Sequence, residues 1–80
     1  MAEDFERLYR EMFHLLYIYA QRALDDASLA EEAVQETFCV AWIKAEQVLS
    51  SANPRGWLMV TLKHIARNIA RSRARRERME

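Results

Sequence analysis

Residues 2–24 read AEDFERLYREMFHLLYIYAQRAL, and apolar side chains recur along them at intervals of three and four positions. These apolar positions are Phe5, Leu8, Tyr9, Met12, Leu15, Leu16, Tyr19 and Ala23. Such spacing places the side chains on one face of an α-helix. The stretch therefore predicts a first helix over residues 2–24, with one face buried against the rest of the domain.

A second helix is expected after a turn at Asp25 and Asp26, because their side chains favour local hydrogen bonds over helix continuation. Ser28 followed by Glu31 is a capping-box pattern, so this helix is expected to start at position 29 and to cover about residues 29–48. Its apolar stripe comprises Ala30, Ala33, Val34, Phe38, Ala41, Trp42, Ala45 and Val48.

Asn53 and Pro54 mark the start of a third helix, because Asn is a good N-cap residue and proline fits the first helical position. The preceding loop covers residues 49–53, the helix covers about residues 54–73, and a basic tail follows at 74–80. The buried stripe of this helix comprises Leu58, Leu62, Ile65 and Ile69. All 80 residues are therefore predicted to form one all-α domain, a small three-helix bundle whose third helix runs into the basic tail.

The composition excludes several classes of protein. One Gly and one Pro in 80 residues argue against a β-sandwich, a Gly-rich phosphate loop or a disordered chain. The longest stretch without a charged residue, residues 12–21, is about half the length of a membrane-spanning helix. No secretory signal opens the sequence, so we expect a cytoplasmic protein without membrane insertion.

The residues give no indication of catalytic or metal-binding chemistry. Cys39 has no second cysteine to pair with, and His14 and His64 lie too far apart for metal-ligand spacing. The sequence implies no nucleophile near these histidines, and the predicted helices place no pair of carboxylates in an apolar pocket. We therefore predict a protein that is not an enzyme and that uses neither a metal nor another cofactor.

Charge is segregated along the chain, although the formal net charge is zero. Residues 1–54 contain four Lys and Arg against ten Asp and Glu, a net charge of −6. Residues 55–80 contain eight Lys and Arg against two Glu, a net charge of +6. A basic surface attracts polyanions while an acidic one repels them, so the two parts are expected to bind different partners. A solvated basic tail is the simpler alternative.

One face of the second helix combines polar and apolar residues away from the core stripe. Glu32, Gln35 and Glu36 share this face, which solvation alone would explain. Cys39 and Ile43, however, continue the same face with apolar side chains. Apolar residues bordered by carboxylates resemble a docking surface with a polar rim, suited to a basic helical partner.

The third helix has two faces outside the core. Lys63, Arg67 and Arg71 recur every four residues and form a basic ridge suited to a phosphate backbone. A neighbouring face carries a stacking ring and hydrogen-bonding groups suited to bases, on Trp57, Thr61, His64 and Asn68. Considered alone, Trp57 could equally be an aromatic residue of the core, and Asn68 could simply hydrogen-bond to its own helix or to solvent. Their combination with the ridge predicts nucleic-acid binding.

Four segments in this order and spacing form a recognisable pattern. They are DFERLYRE at 4–11, AEEAVQETF at 30–38 with Ala41-Trp42 after it, NPRGWL at 53–58 and IARN at 65–68. Together they resemble region 2 of bacterial RNA polymerase sigma factors of the extracytoplasmic-function (ECF) class, without gaps and over nearly the whole chain. Residues 48–51 read VLSS where the family commonly has an aromatic, a basic residue, Gly and Asp, so the resemblance gives no base preference.

The resemblance implies a role for both surfaces. The second helix would dock on the clamp coiled coil of the polymerase β-prime subunit, through Glu32, Gln35, Glu36, Cys39 and Ile43. The loop at 48–53 and the third helix would melt the promoter minus-ten element and hold a flipped base of the non-template strand. The residues expected to bind DNA are Ser50, Ser51, Asn53, Arg55, Trp57, Lys63, His64, Arg67, Asn68 and Arg71.

The resemblance carries two more expectations and leaves one alternative open. Region 4 of such factors, which reads the minus-thirty-five element, has no counterpart in these residues, so the chain is either an excised domain, which we favour, or a natural fragment. An anti-sigma factor is a further partner that the resemblance allows. The alternative function is a helical protein-interaction module whose basic tail binds RNA or anionic lipid by charge alone.

Overall fold

Four α-helices make up residues 2–79, the part of the chain that the computed structural model describes. In chain order they are α1 (Ala2–Leu24), α2 (Ala27–Ile43), α3 (Ala45–Ser50) and α4 (Pro54–Met79). The described residues contain no strand, so the prediction of an all-α bundle is confirmed. The first helix has the predicted bounds, but the bundle has four helices rather than three.

The predicted second helix over residues 29–48 is interrupted at Lys44. The backbone there leaves helical geometry, with φ −104° and ψ 30°, while the Lys44 N–H still donates to the Val40 carbonyl at 3.1 Å. The chain then resumes as α3, and both Ala45 and Val48 are buried, so the break redirects the helix while keeping its apolar stripe in the core. Since α3 continues to Ser50, the loop is residues 51–53 rather than 49–53.

The N-cap of α2 is Asp26, not Ser28. Asp25 takes the left-handed conformation with φ 50°, which Asp tolerates better than most residues. The chain is then extended at Asp26, whose Oδ1 accepts a hydrogen bond from the Leu29 N–H at 2.9 Å. The helix therefore starts at Ala27, and the predicted capping box is wrong because the carboxylate two residues earlier already satisfies the helix N-terminus.

Replacing the cap is expected to destabilise the domain. Asp26→Ala should lower the free energy of unfolding by about 1 kcal/mol, because the Leu29 N–H loses its acceptor. Ser28→Ala is the matched control and should change it by less than about 0.5 kcal/mol, since Ser28 is exposed in the first turn. Urea unfolding followed by circular dichroism measures both, and a larger loss for Ser28→Ala would reverse the assignment.

The core lies where α1, α2 and α4 meet. On α2, the ring of Phe38 packs against Tyr9 of α1, with ring centroids 4.5 Å apart. The buried apolar residues are Phe5, Leu8, Met12, Leu16, Ala20, Leu24, Ala30, Ala33, Val34, Phe38, Ala41, Ala45, Val48, Leu58, Leu62 and Ala66.

Several apolar residues predicted for the core lie at its edge. At the C-terminal end of α1 the buried residues are Ala20 and Leu24, because the neighbouring helices cover only one narrow face of α1. The apolar residues that were predicted for the core but are exposed or only partly buried are Tyr9, Leu15, Tyr19, Ala23, Trp42, Ile65 and Ile69. Among them, Trp42 is 52% exposed and keeps an edge-on contact with Phe5 at 5.0 Å between centroids.

Helix α4 starts as predicted and extends further than predicted. The Asn53 Oδ1 accepts a hydrogen bond from the Gly56 N–H at 3.0 Å, and a Cβ on Gly56 would collide with this capping amide. The predicted end at residue 73 is wrong, because the helix continues to Met79; Glu80, the last residue of the predicted tail, lies outside the described residues.

Arg73 attaches the extension of α4 to the end of α1. Its guanidinium donates a hydrogen bond to the Leu24 carbonyl at 2.7 Å. That carbonyl belongs to the last turn of α1, where backbone acceptors lack partners within the helix and cations are favoured. Within residues 2–79, none of the helices has the length and apolar character needed to cross a membrane.

Candidate functional site

The outward face of α2, here called the α2 surface, consists of Glu32, Gln35, Glu36, Cys39 and Ile43. All five side chains are exposed, as predicted from the helical spacing. Ile43 ends the helix and is 81% exposed, an unusual position for a large aliphatic side chain. The surface therefore places carboxylates and an amide beside an uncovered apolar side chain.

The polar groups of the α2 surface are not engaged within the described part of the chain. The ion pairs there are Asp4–Arg7, Glu6–Arg10 and Glu11–Arg55, none of which involves the α2 surface. The side-chain hydrogen bonds of the described residues likewise leave Gln35 uninvolved. These groups can therefore bind a partner without breaking a contact inside the domain.

The basic ridge of α4, Lys63, Arg67 and Arg71, is exposed along its length. Residues four apart on an α-helix lie on one face, separated by about 6 Å along the axis. Because α4 stays helical beyond residue 73, Arg75 continues the same line, and it is exposed as well. The row of cations therefore continues along the helix into the segment that was predicted to be a basic tail.

A pocket lies beside the start of α4, between this helix, α3 and the loop. It is lined by Lys44, Gln47, Ser51, Asn53, Gly56, Trp57, Val60 and Thr61. Three of the predicted DNA-binding residues, Ser51, Asn53 and Trp57, thus come together here. Lys44, Gln47 and Val60 were not predicted, because a continuous second helix gives no sign that residues 44 and 47 turn toward the third helix.

Some of the predicted DNA-binding residues already have partners inside the domain. The Ser50 hydroxyl donates to the Glu46 carbonyl at 2.7 Å, and Arg55 donates to Glu11 Oε2 of α1 at 2.8 Å. The Ser51 Oγ accepts from the Asn53 N–H at 3.1 Å, which shapes the loop. Of these three residues only Ser51 lines the pocket, whereas Ser50 and Arg55 are held by contacts outside its lining.

Two others, His64 and Asn68, are exposed beside the ridge, away from the pocket. Eight of the ten residues predicted to bind DNA therefore divide between two places, and Ser50 and Arg55 lie in neither. One is the pocket at the start of α4, and the other is the basic ridge with its exposed neighbours.

Comparison with known proteins defines the class to which this helical domain belongs. The family model Sigma-70 region 2 matches residues 8–77, which is most of the chain. The chain belongs to this family, and the identification made from the four sequence segments is confirmed.

Among individual proteins, the chain is similar to the ECF RNA polymerase sigma factor SigL of Mycobacterium tuberculosis, in strains Erdman, CDC 1551 and H37Rv. Each is 41% identical to it over 63 residues, covering 78% of this chain and 33% of the relative. The aligned part is therefore about a third of the length of these relatives. No solved structure gives a significant match.

Proposed function

We propose that this domain is a transcription initiation module of an ECF sigma factor. Its α2 surface binds core RNA polymerase at the clamp coiled coil of the β-prime subunit, and the pocket and ridge of α4 bind the minus-ten element of the promoter. The observation that carries the proposal is the division of one small bundle into an unengaged acidic and apolar face on α2 and an exposed row of cations on α4. The module binds and positions its partners and catalyses no reaction itself.

The α2 surface has the properties of a protein-docking site. Glu32, Gln35 and Glu36 supply acceptors for a basic helical partner, while Ile43 supplies an apolar contact at one end. Interfaces of this kind combine a desolvated apolar contact with a polar rim. Cys39 lies between the two parts and is small enough to permit close approach of another helix.

The pocket at the start of α4 has the properties expected for holding an unpaired base. Trp57 offers an aromatic wall, and the polar groups of Ser51, Asn53 and Gln47 surround it. Removing a base from the duplex costs a few kcal/mol, which stacking and contacts to the base edges can offset. The ridge then holds the phosphates that follow along the strand.

The ridge assignment is tested by the salt dependence of DNA binding. For a mixed-sequence single strand, Arg67→Ala with Arg71→Ala should reduce the magnitude of the slope of log K against log salt concentration by about 1.4. Each phosphate contact contributes about 0.7 to this slope through the counterions released on binding, and the variant loses two contacts. Fluorescence anisotropy at several salt concentrations measures the slope.

A control variant with the same change in net charge distinguishes contacts made by the ridge from a general effect of charge on DNA binding. Arg7→Ala with Arg10→Ala removes the same charge from α1, where both side chains are exposed, and should leave the slope unchanged. Equal slopes for the ridge variant and the wild type would show that the ridge does not contact phosphate. Binding that ranks single strands, duplexes and scrambled sequences by phosphate count alone would favour the charge-driven interaction module instead.

A further inference from the structure

Helix α1 contributes an exposed aromatic side chain directly beside the basic ridge of α4. Tyr19 is 38% exposed, and Leu15, one turn before it, is 52% exposed. The Lys63 Nζ lies over the Tyr19 ring, 5.5 Å from its centroid. An aromatic ring on one helix and a cation on another therefore form a single surface, which the assignment of DNA-binding residues to the loop and α4 does not include.

This surface is one wall of a groove between α1 and α4. The groove is lined by Tyr19, Ala23, Lys63, Ala66, Arg67 and Ala70. Its floor consists of alanines, so flat groups can approach the backbone closely. Its ionisable lining groups are the phenol of Tyr19 and two cations, Lys63 and Arg67, and no carboxylate of residues 2–79 lines it. The chemistry of the groove favours an anionic ligand that also carries a flat ring.

We propose that the α1–α4 groove holds one nucleotide of a single DNA strand, with its base against Tyr19 and its phosphate at Lys63 and Arg67. The proposal rests on the proposed function and extends it, because Lys63 and Arg67 belong to both the ridge and the groove. A strand that follows the ridge passes the ring of Tyr19. A duplex cannot use the ring in this way, since its base faces are already stacked.

Nucleic acid explains the groove better than an acidic peptide does. Carboxylates would satisfy Lys63 and Arg67 but would leave the exposed ring and the alanine floor unused. A nucleotide satisfies both, because every base presents a π-face and every phosphate a charge. In the free domain the Lys63 ammonium lies over the Tyr19 ring. In the proposed complex it moves off the ring, which the base then contacts, and it binds the phosphate.

The test compares two strands with the same phosphates. One is a mixed-sequence DNA of about 12 nucleotides, within the site sizes of such grooves, and the other carries abasic residues at every position. The wild-type chain should bind the strand with bases at least about 5-fold more tightly, the lower range for one stacked base. Tyr19→Leu should reduce this preference by about 5-fold and leave the affinity for the abasic strand unchanged, whereas Tyr19→Phe should retain the preference.

The controls separate this proposal from the proposed function. Thermal unfolding by circular dichroism checks the fold of each variant. The matched control is His14→Ala, which removes an exposed ring from another face of α1 and should bind both strands as the wild type does. An unchanged preference in Tyr19→Leu, with binding still weakened by Arg67→Ala and Arg71→Ala, overturns the groove proposal alone. A wild type that binds neither strand at low salt contradicts both. Tyr19-dependent binding of a polyglutamate peptide, tighter than that of the strand, would assign the groove to an acidic protein and overturn the proposal.

Discussion

The variant carrying Gln35→Ala and Glu36→Ala is expected to bind the β-prime clamp coiled coil about 10-fold more weakly than the wild type, or worse. Hydrogen bonds to charged partners contribute about 1.5–3 kcal/mol each, and 1.4 kcal/mol corresponds to tenfold in affinity. Both side chains are exposed, so their truncation should leave the melting temperature unchanged. Titration of the labelled coiled coil with each chain measures the difference.

A control for this variant removes acidic charge elsewhere. Glu3→Ala with Glu6→Ala takes two carboxylates from exposed positions of α1. It should change the affinity by less than about 2-fold, because exposed charges away from an interface act mainly through screened, long-range attraction. If this control lost as much affinity as the α2 variant, the binding would follow net charge and the α2 surface would not be the docking site.

Leu16→Ala is expected to produce the largest loss of stability among the substitutions considered. Leu16 has no exposed surface, and truncating a buried leucine costs about 2–5 kcal/mol. A domain of this size has a total stability of about 4–12 kcal/mol, so the variant should unfold at a far lower urea concentration or be partly unfolded without urea. Urea unfolding followed by circular dichroism gives the value.

Leu15→Ala is the neighbouring control with the same chemistry. Leu15 is 52% exposed, so its truncation should cost less than about 1 kcal/mol. Comparable losses for Leu15→Ala and Leu16→Ala would mean that α1 packs in a different rotation from the one described. The pair therefore tests the orientation that also brings Tyr19 to the groove.

The features that depend on local pattern could be predicted from the sequence. The first helix follows from apolar spacing alone, and its bounds match α1. The Asn53 cap with Pro54 after it is likewise a short-range feature, and it starts α4 as expected. The exposed α2 surface follows from the same geometry, because a residue's face on a helix is set by its spacing from the core stripe.

Features decided by competition between similar residues could not be predicted. Asp26 and Ser28 are both good N-cap residues, and the left-handed turn at Asp25 selects the first of them. The helix interruption at Lys44 could not be predicted because neither Gly nor Pro, the usual sequence signals of such a break, lies near it. The same limit applies to Leu15 and Leu16, since periodicity allows both in the core and only the packing of α2 and α4 separates them.

The candidate site was harder to predict where it joins distant parts of the chain. Arg55 pairs with Glu11, which lies 44 positions earlier, and Lys63 covers Tyr19 of α1. Neither contact leaves a signal in a helical wheel, which describes one helix at a time. The sequence therefore predicted the faces of each helix, while the structure defines which faces adjoin.

Titration of the wild-type chain with a purified β-prime clamp coiled coil tests the central claim most directly. We expect saturable binding in a ratio of one to one, with the chain shown to be helical by circular dichroism in the same buffer. Saturable binding would support the proposed function, and the variants of the α2 surface would then locate the interface. Absence of binding by a folded chain would contradict the proposed function and leave charge-driven binding by the ridge as the better explanation.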